Sequence, residues 1–297
     1  MEKRPRITVI GSINMDLVSI TDQIPQKGET LIGQQFFMNP GGKGANQAVA
    51  AARLGAKVRM IGCVGDDSFA ESLTQHLHKE GVDITNVKPV TGSTGTATIV
   101  VSDNDNSIIV VPGANLHVTA DFVESKRNII ADSDIVILQL EIPLEGVKKA
   151  IEIATENGVK TILNPAPICD LPDEILEQVT YLTPNEHEYA SLAKNMGEKA
   201  IQGKVILTRG SKGVAFFQQG VQLEIPAYKV KTVDTTGAGD SFNGGLAFAL
   251  GNGLSLEEAC KYGNAVGALS TMKLGAQKGM PTKEEVEAFM ETEVAIS

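Results

Sequence analysis

In the run Val233-Asp234-Thr235-Thr236-Gly237-Ala238-Gly239-Asp240-Ser241-Phe242-Asn243-Gly244-Gly245, three small residues precede a carboxylate, and an apolar helical stretch, Leu246 to Leu250, follows. Small side chains at Gly237, Ala238 and Gly239 let the backbone approach a ligand closely, and amide hydrogens at a helix start converge on negative charge. Such a cradle suits a phosphoryl group in flight. Asp240, at its mouth, could accept a hydroxyl proton while the cradle stabilises charge on the transferring group. The same carboxylate could instead do no more than cap the helix, and these residues alone leave both readings open.

Two further segments carry chemistry. Pro40-Gly41-Gly42-Lys43-Gly44-Ala45-Asn46-Gln47 runs into the apolar stretch Ala48 to Leu54. Glycines at a helix start also serve ordinary tight turns, but Lys43 opposes the helix dipole there, which points to an anion or a polyol held nearby. The Walker A pattern, Gly-x-x-x-x-Gly-Lys-Ser/Thr, is absent. Gly11-Ser12-Ile13-Asn14-Met15-Asp16 follows the first strand-like run. The carboxyl ends of strands in an open α/β sheet line the ligand crevice, so Asn14 and Asp16 could meet hydroxyl groups there; an Asx turn between two strands is the alternative.

The elements that position these residues alternate. Residues 7–10, 57–64, 134–138, 161–164, 181–183 and 204–208 read as strands apolar on both faces, which suits a covered parallel sheet. Helical patterns lie between them, with capping boxes expected at Ser68/Glu71, Ser255/Glu258 and Thr282/Glu285 and stop glycines at Gly55, Gly81 and Gly158. Residues 15–38 and 94–111 break this rhythm, the second as a hairpin around Asp103-Asn104-Asp105-Asn106. Both read as antiparallel strands of one small β appendage, a lid or simply two surface ribbons. No Gly-x-Gly-x-x-Gly follows the first strand, which disfavours a Rossmann dehydrogenase.

Composition excludes other classes. The chain has 297 residues, 42% hydrophobic and 21% charged, enough to bury a sizeable core. A net charge of -10 argues against a nucleic-acid-binding surface. The three cysteines, Cys63, Cys169 and Cys260, are far apart and suggest neither a disulfide framework nor a zinc cluster. The histidines compose no site, since His76 and His78 diverge on a helix and His117 and His187 stand alone. No signal peptide and no run of about 18 apolar residues is evident, so a cytoplasmic protein without a membrane partner is expected.

These three segments, in this order, resemble the PfkB-type carbohydrate kinases over nearly the whole chain. Asp234 to Asp240 is specific to that superfamily, and Asn14-Met15-Asp16 with Gly41 to Asn46 is similar to its ribokinase-like members. The resemblance implies a ribokinase-like three-layer α/β/α sandwich with a mostly parallel central sheet. It implies one kinase domain over residues 1–297, with a small β-sheet lid from about 15–38 and 94–111. The activity implied is ATP-dependent phosphorylation of D-ribose at its 5-hydroxyl, with Asp240 as base and an anion hole at Gly237, Ala238, Gly239 and Asp240. A kinase of another acceptor, such as deoxyribose, fructose or a nucleoside, and a non-catalytic sugar-binding sensor are the alternatives.

By the same resemblance Asn14, Asp16, Gly42, Lys43, Gly44, Asn46, Glu141 and Asp240 hold the sugar. ATP is met by Asn185, by Thr208-Arg209-Gly210-Ser211-Lys212-Gly213, by Gly239 and Asp240, and by Asn264. Glu188 orients Mg²⁺ through water, as suits an ion reluctant to dehydrate. K⁺ sits at Asp234, Thr236, Ser270, Lys273, Gly275 and Gly279, mostly on backbone carbonyls. The family often has Ser at the position of Gly279 and Pro at that of Lys278, so a hydroxyl ligand is lost here. A homodimer formed through the lid is also implied.

Overall fold

The computed structural model describes residues 4–102, 105–196, 201–218 and 220–294. The chain enters through β1 (Arg6–Ile10), β2 (Asn14–Ile20) and β3 (Gln35–Gly41) and turns into the helix Lys43–Arg53. β4 (Lys57–Val64), the helix Ser68–Lys79, β5 (Asp83–Pro89), β6 (Gly95–Ser102) and β7 (Asp105–Val111) follow. β8 (Ile135–Leu138), β9 (Lys160–Leu163) and β10 (Tyr181–Leu182) alternate with the helices Leu144–Glu156 and Asp173–Gln178. β11 (Ile206–Thr208), β12 (Val214–Gln218) and β13 (Val221–Ile225) lead to the helices Ala238–Gly251, Leu256–Ser270 and Lys283–Val294.

Six strands form a parallel sheet in the order β10-β9-β8-β1-β4-β5. Successive side chains of a strand point to opposite faces, so these strands feed two cores. Ile7 and Val9 of β1, Met60 of β4 and Ile137 of β8 join one core with Leu246 and Phe248 of the helix Ala238–Gly251. Ile10, Ile61 and Leu138 join the other with Val147 and Ile151 of the helix Leu144–Glu156. Each fully buried Ile or Leu contributes about 1.5–3 kcal/mol, and the helices covering both faces make the three-layer α/β/α sandwich. Parallel bridges, Leu182 to Val205 and Asn185 to Thr208, carry the sheet to an antiparallel unit, β11-β12-β13. Residues 204–208 therefore keep the expected parallel pairing toward β10, at Leu182–Val205 and Asn185–Thr208, while residues 206–208 also open the antiparallel unit as β11. β5 and β13 carry polar, exposed residues among their apolar ones, which is why their patterns do not read as strands.

Two capping boxes form as expected, at Ser255/Glu258 and Thr282/Glu285. The third does not. Asp67 caps the helix Ser68–Lys79 by accepting from Ala70 N at 3.0 Å, and its carboxylate also takes the Thr94 amide and hydroxyl.

A four-stranded sheet, β3-β2-β6-β7, stands apart from the main one. β2–β3 and β6–β7 are antiparallel, but the two excursions join through a parallel β2–β6 pair. Asp103 and Asn104 of the turn lie outside the described residues. Register places Asp16, Ala97 and Val110 in one row, and Val18, Ile99 and Ile108 in the next row of the same face. Ile99 thus points at the cavity described below; Phe36, Met38, Ile109 and Val111 are the large exposed apolar residues of the opposite face.

Candidate active site

The ends of β1 and β4 and the glycine-rich turn meet at one point. Gly42, at φ 87°, adopts a conformation that side chains disfavour and lets the chain reverse into the helix Lys43–Arg53. A Cβ on Gly44 would stand 2.6 Å from Ser12 N, so the turn packs directly on the β1–β2 connection. No side chain of the turn caps this helix. Glu141 does so from a distant loop: its Oε2 accepts from Lys43 N at 3.1 Å and from the Ser12 hydroxyl.

Asp240 lies in the first turn of a different helix. Gly237, at φ 77°, is the N-cap of the helix Ala238–Gly251, so Asp240 sits within its first turn and does not cap it. The side chain is 6% exposed. Asn46 Nδ2 donates to its Oδ2 and Gln47 Nε2 to its Oδ1, both at 2.9 Å. Ala238 N donates to Thr235 O at 3.1 Å within the turn. The amides of Gly239 and Asp240 are the first-turn donors that a helix leaves without an internal acceptor. Asn243 ties the helix to the sheet, donating to Gly239 O and accepting from the Thr183 hydroxyl at 2.7 Å.

Charge is concentrated here. Asp240, more than any other group, holds the Lys43 ammonium in its protonated form, against the effect of burial. Burial, followed by the neighbouring Glu141 and Asp240, pushes the Asp16 carboxyl up to about 7. Burial also raises Glu188.

Asn14, Asp16, Gly42, Lys43, Asn46, Glu141 and Asp240 line one cavity of about 600 Å³, together with Thr236 and Gly237. The face of the small sheet supplies an apolar wall of Ala97, Ile99, Ile108 and Val110. Polar groups converging against an apolar wall suit a small polyol whose ring has both hydroxyl and C–H faces. Gly44 is the exception among the expected sugar residues, since it packs behind the site.

Of the residues expected to meet the nucleotide, Asp240 lines this cavity, while Gly239, Asn185, Thr208 to Gly213 and Asn264 do not. Asn185 and Glu188 form a reciprocal cap, with Asn185 N to Glu188 Oε2 at 2.9 Å and Glu188 N to Asn185 Oδ1 at 2.8 Å. Asn185 also bridges Thr208, which leads through Arg209 into the exposed turn Gly210–Lys212 and then Gly213. Arg209 pairs with Glu224 at 3.0 Å and Lys212 with Glu186 at 3.1 Å. Asn264 is buried, and its amide nitrogen is committed to Ile225 O and Pro226 O at 3.3 and 3.2 Å.

The two segments expected to hold K⁺ run side by side. Val233 N and Asp234 N donate to Thr271 O, Thr236 N to Asp234 Oδ1 and Gly275 N to Asp234 Oδ2. The Ser270 hydroxyl donates to Gly267 O, and the Lys273 ammonium lies 3.5 Å from Glu285. A Cβ on Gly279 would stand 2.0 Å from Ser270 O. With this backbone no side chain fits at residue 279, whatever hydroxyl it carried.

Ser12, Gln47 and Asn115 also belong to the site, though their places in the sequence do not single them out. Gln47 adjoins Asn46 in the same motif, and that adjacency was the available signal. Asn115 gave none. It lies in the turn Gly113–His117, donates to Asn14 Oδ1 at 2.7 Å and accepts from Ile13 N at 3.0 Å. Of the cysteines, Cys63 and Cys260 are buried while Cys169 is exposed. Among the described residues no group of three or more His, Cys, Asp and Glu side chains could hold a metal, and no helix is long and apolar enough to cross a membrane.

Comparison with known proteins gives a consistent result. Residues 4–283 match the model of the pfkB family carbohydrate kinases. A ribokinase of Lactococcus lactis subsp. lactis is 45% identical over 288 residues, covering 95% of this chain and 96% of that protein. A ribokinase of Bacillus subtilis is 43% identical, covering 96% and 99%. The structure of Arabidopsis thaliana ribokinase complexed with ribose and ATP superposes with a TM-score of 0.90 at 30% identity, covering 97% of this chain and 99% of that one.

Proposed function

The chain belongs to the pfkB family of carbohydrate kinases, and from that membership we propose that it transfers the γ-phosphoryl group of ATP to the 5-hydroxyl of D-ribose. One observation carries the reading. A buried carboxylate, Asp240, stands in the first turn of a glycine-started helix and faces the same cavity as Asn14, Asp16, Lys43 and Glu141.

The sugar rests between the polar floor and the apolar wall, with Asn14, Asp16, Lys43, Asn46 and Glu141 offering donors and acceptors from different elements. Two amides hold Asp240, so its remaining lone pairs face the cavity, where they direct the 5-hydroxyl. As the new O–P bond forms and the bond to the departing ADP oxygen breaks, the hydroxyl proton passes to Asp240. The amides of Gly239 and Asp240, at the positive end of the helix, stabilise charge on the transferring group. Such a loose transition state needs positioning more than a strong base.

ATP approaches along Asn185, Thr208 and the turn Arg209–Gly213, with Asn264 bracing the end of β13. Glu188 is half-buried and its Oε2 is held by Asn185, so one carboxylate oxygen is left to meet the hydration shell of Mg²⁺. That ion neutralises the phosphates when bound. The Asp234 carboxylate and the backbone oxygens of Thr236, Ser270, Lys273, Gly275 and Gly279 are hard donors of the kind K⁺ takes. The small sheet closes over the sugar as a lid within a single kinase domain. Its outer residues Phe36, Met38, Ile109 and Val111 form the contact of a homodimer, and free cysteines suit a reducing cytoplasm.

A coupled ADP-release assay over pentoses, hexoses and nucleosides tests the reading. Ribose is expected to give the highest kcat/KM. Release of no ADP with any acceptor refutes the kinase reading, and a clear preference for another acceptor refutes ribose.

A further inference from the structure

Each oxygen of Asp240 accepts from an amide, and each of those amides is itself held by a glutamine. Gln139 Nε2 donates to Gln47 Oε1 at 2.6 Å, behind the bond from Gln47 to Asp240 Oδ1. On the other side, Gln277 Nε2 donates to Asn46 Oδ1 at 2.8 Å, and Gln277 Oε1 lies 2.7 Å from His76 Nε2. Gln277 is 5% exposed, and its backbone oxygen accepts from Arg53 Nη1 at 2.6 Å.

The direction of this second relay is dictated at its carboxylate end. An ionised Asp240 only accepts, so Asn46 must turn its nitrogen to Asp240 and its oxygen to Gln277. Gln277 must then turn its nitrogen to Asn46 and its oxygen outward, and His76 must carry a hydrogen on Nε2. The residues beside Gln277 grip the same loop from behind. Gly275 N donates to Asp234 Oδ2 at 2.8 Å. Ala276 lies so close to Gly237 that a Cβ there would stand 2.8 Å from its own Cβ. Three consecutive residues thus touch Asp234, the glycine turn and, through Asn46, Asp240.

We propose that Gln277 is a positioning residue for phosphoryl transfer, fixing through Asn46 the orientation in which Asp240 meets the acceptor hydroxyl. The proposal rests on the reading of Asp240 as the base. Without the Gln277 donor, Asn46 Oδ1 loses its anchor, and the side chain, held only by its nitrogen, no longer fixes the place at which that nitrogen grips Asp240 Oδ2. Misplacement of a reacting group by about 1 Å costs on the order of 10²-fold in rate.

Gln277→Met keeps the length and volume of the side chain and removes both hydrogen bonds. In an otherwise unaltered protein it is expected to lower kcat about tenfold or more, with the melting temperature little changed. In an Asp240→Asn background the same substitution should change residual turnover by less than about twofold, because no carboxylate remains to be aimed. An equal loss in both backgrounds, or no loss in either, overturns the proposal. Should Asp240→Asn itself turn over normally, the base reading fails, and the cycle records that separately. A second measurement needs no variant in the relay. Long-range ¹⁵N–¹H spectra of the unaltered protein at about pH 8.5, above the ordinary histidine range, report the tautomer of each neutral ring. His76 is expected as the Nε2–H form; the Nδ1–H form overturns the relay even if Gln277→Met fails to fold.

Discussion

Gln47 Nε2 donates to Asp240 Oδ1 at 2.9 Å, joining two residues 193 positions apart in the chain. The glycine-rich segment therefore does more than shape a turn: the helix it starts delivers Asn46 and Gln47 to the carboxylate of the other motif. Neither motif makes the site alone.

Replacing Asp240 with Asn keeps the side chain's size and removes its capacity to take a proton. Turnover is expected to fall by roughly 10²- to 10⁴-fold, the span for a lost general base, with sugar binding by calorimetry largely retained. A near-normal kcat would remove Asp240 from the proton transfer.

Asp16 has a carboxyl pushed up to about 7, above the ordinary carboxylate range, chiefly by burial. The sign follows from the raised value: the folded protein holds this proton more tightly than the unfolded chain does. Its stabilising effect is full below the unfolded pKa and is lost as pH rises through about 7. Asp16→Asn should therefore stabilise the ligand-free protein progressively more, relative to the parent, as melting is measured from about pH 5 to about pH 8. Over the same range KM for the sugar should fall with rising pH in the parent and stay flat in the variant. A stability difference independent of pH would contradict the assignment.

Gly95 leaves the space in which Asn115 holds Asn14, since a Cβ there would stand 2.2 Å from Asn14 Oδ1 and 2.3 Å from Asn115 Nδ2. Gly95→Ala should raise KM for the sugar about tenfold with kcat changed far less, as expected when a binding contact rather than a transition-state contact is lost. Steady-state kinetics at saturating ATP checks this, and an unchanged KM would separate the Asn14–Asn115 pair from sugar binding.

Gly279 is pressed against Ser270 O, where a Cβ would approach to 2.0 Å. Gly279→Ser should cost about 1–3 kcal/mol by forcing the backbone apart. Denaturant unfolding measures this, and a variant as stable as the parent would show that the two segments separate freely.

The sandwich was legible because its strands are apolar on both faces and its glycine stops are unambiguous. The small sheet was legible as two antiparallel excursions, but not the parallel β2–β6 pair that joins them, since register between distant segments leaves no local pattern. In the site, Asn14, Asp16, Lys43 and Asp240 stood out because each follows a strand or opens a helix. Asn115 and Gln277 did not, because an amide whose role is to orient another amide looks like any loop residue until its partner is seen. The Ser68/Glu71 box failed for a related reason: Asp67 has a second partner, Thr94, that fixes it as the cap.

The identity and position of the phosphorylated atom tests the central claim most directly. Ribose labelled with ¹³C at carbon 5, incubated with the purified protein and magnesium ATP, should give a product whose carbon-5 signal is split by phosphorus, at a rate that collapses in Asp240→Asn. An unphosphorylated sugar, or a phosphorylated product whose labelled carbon 5 shows no coupling to phosphorus, would contradict it.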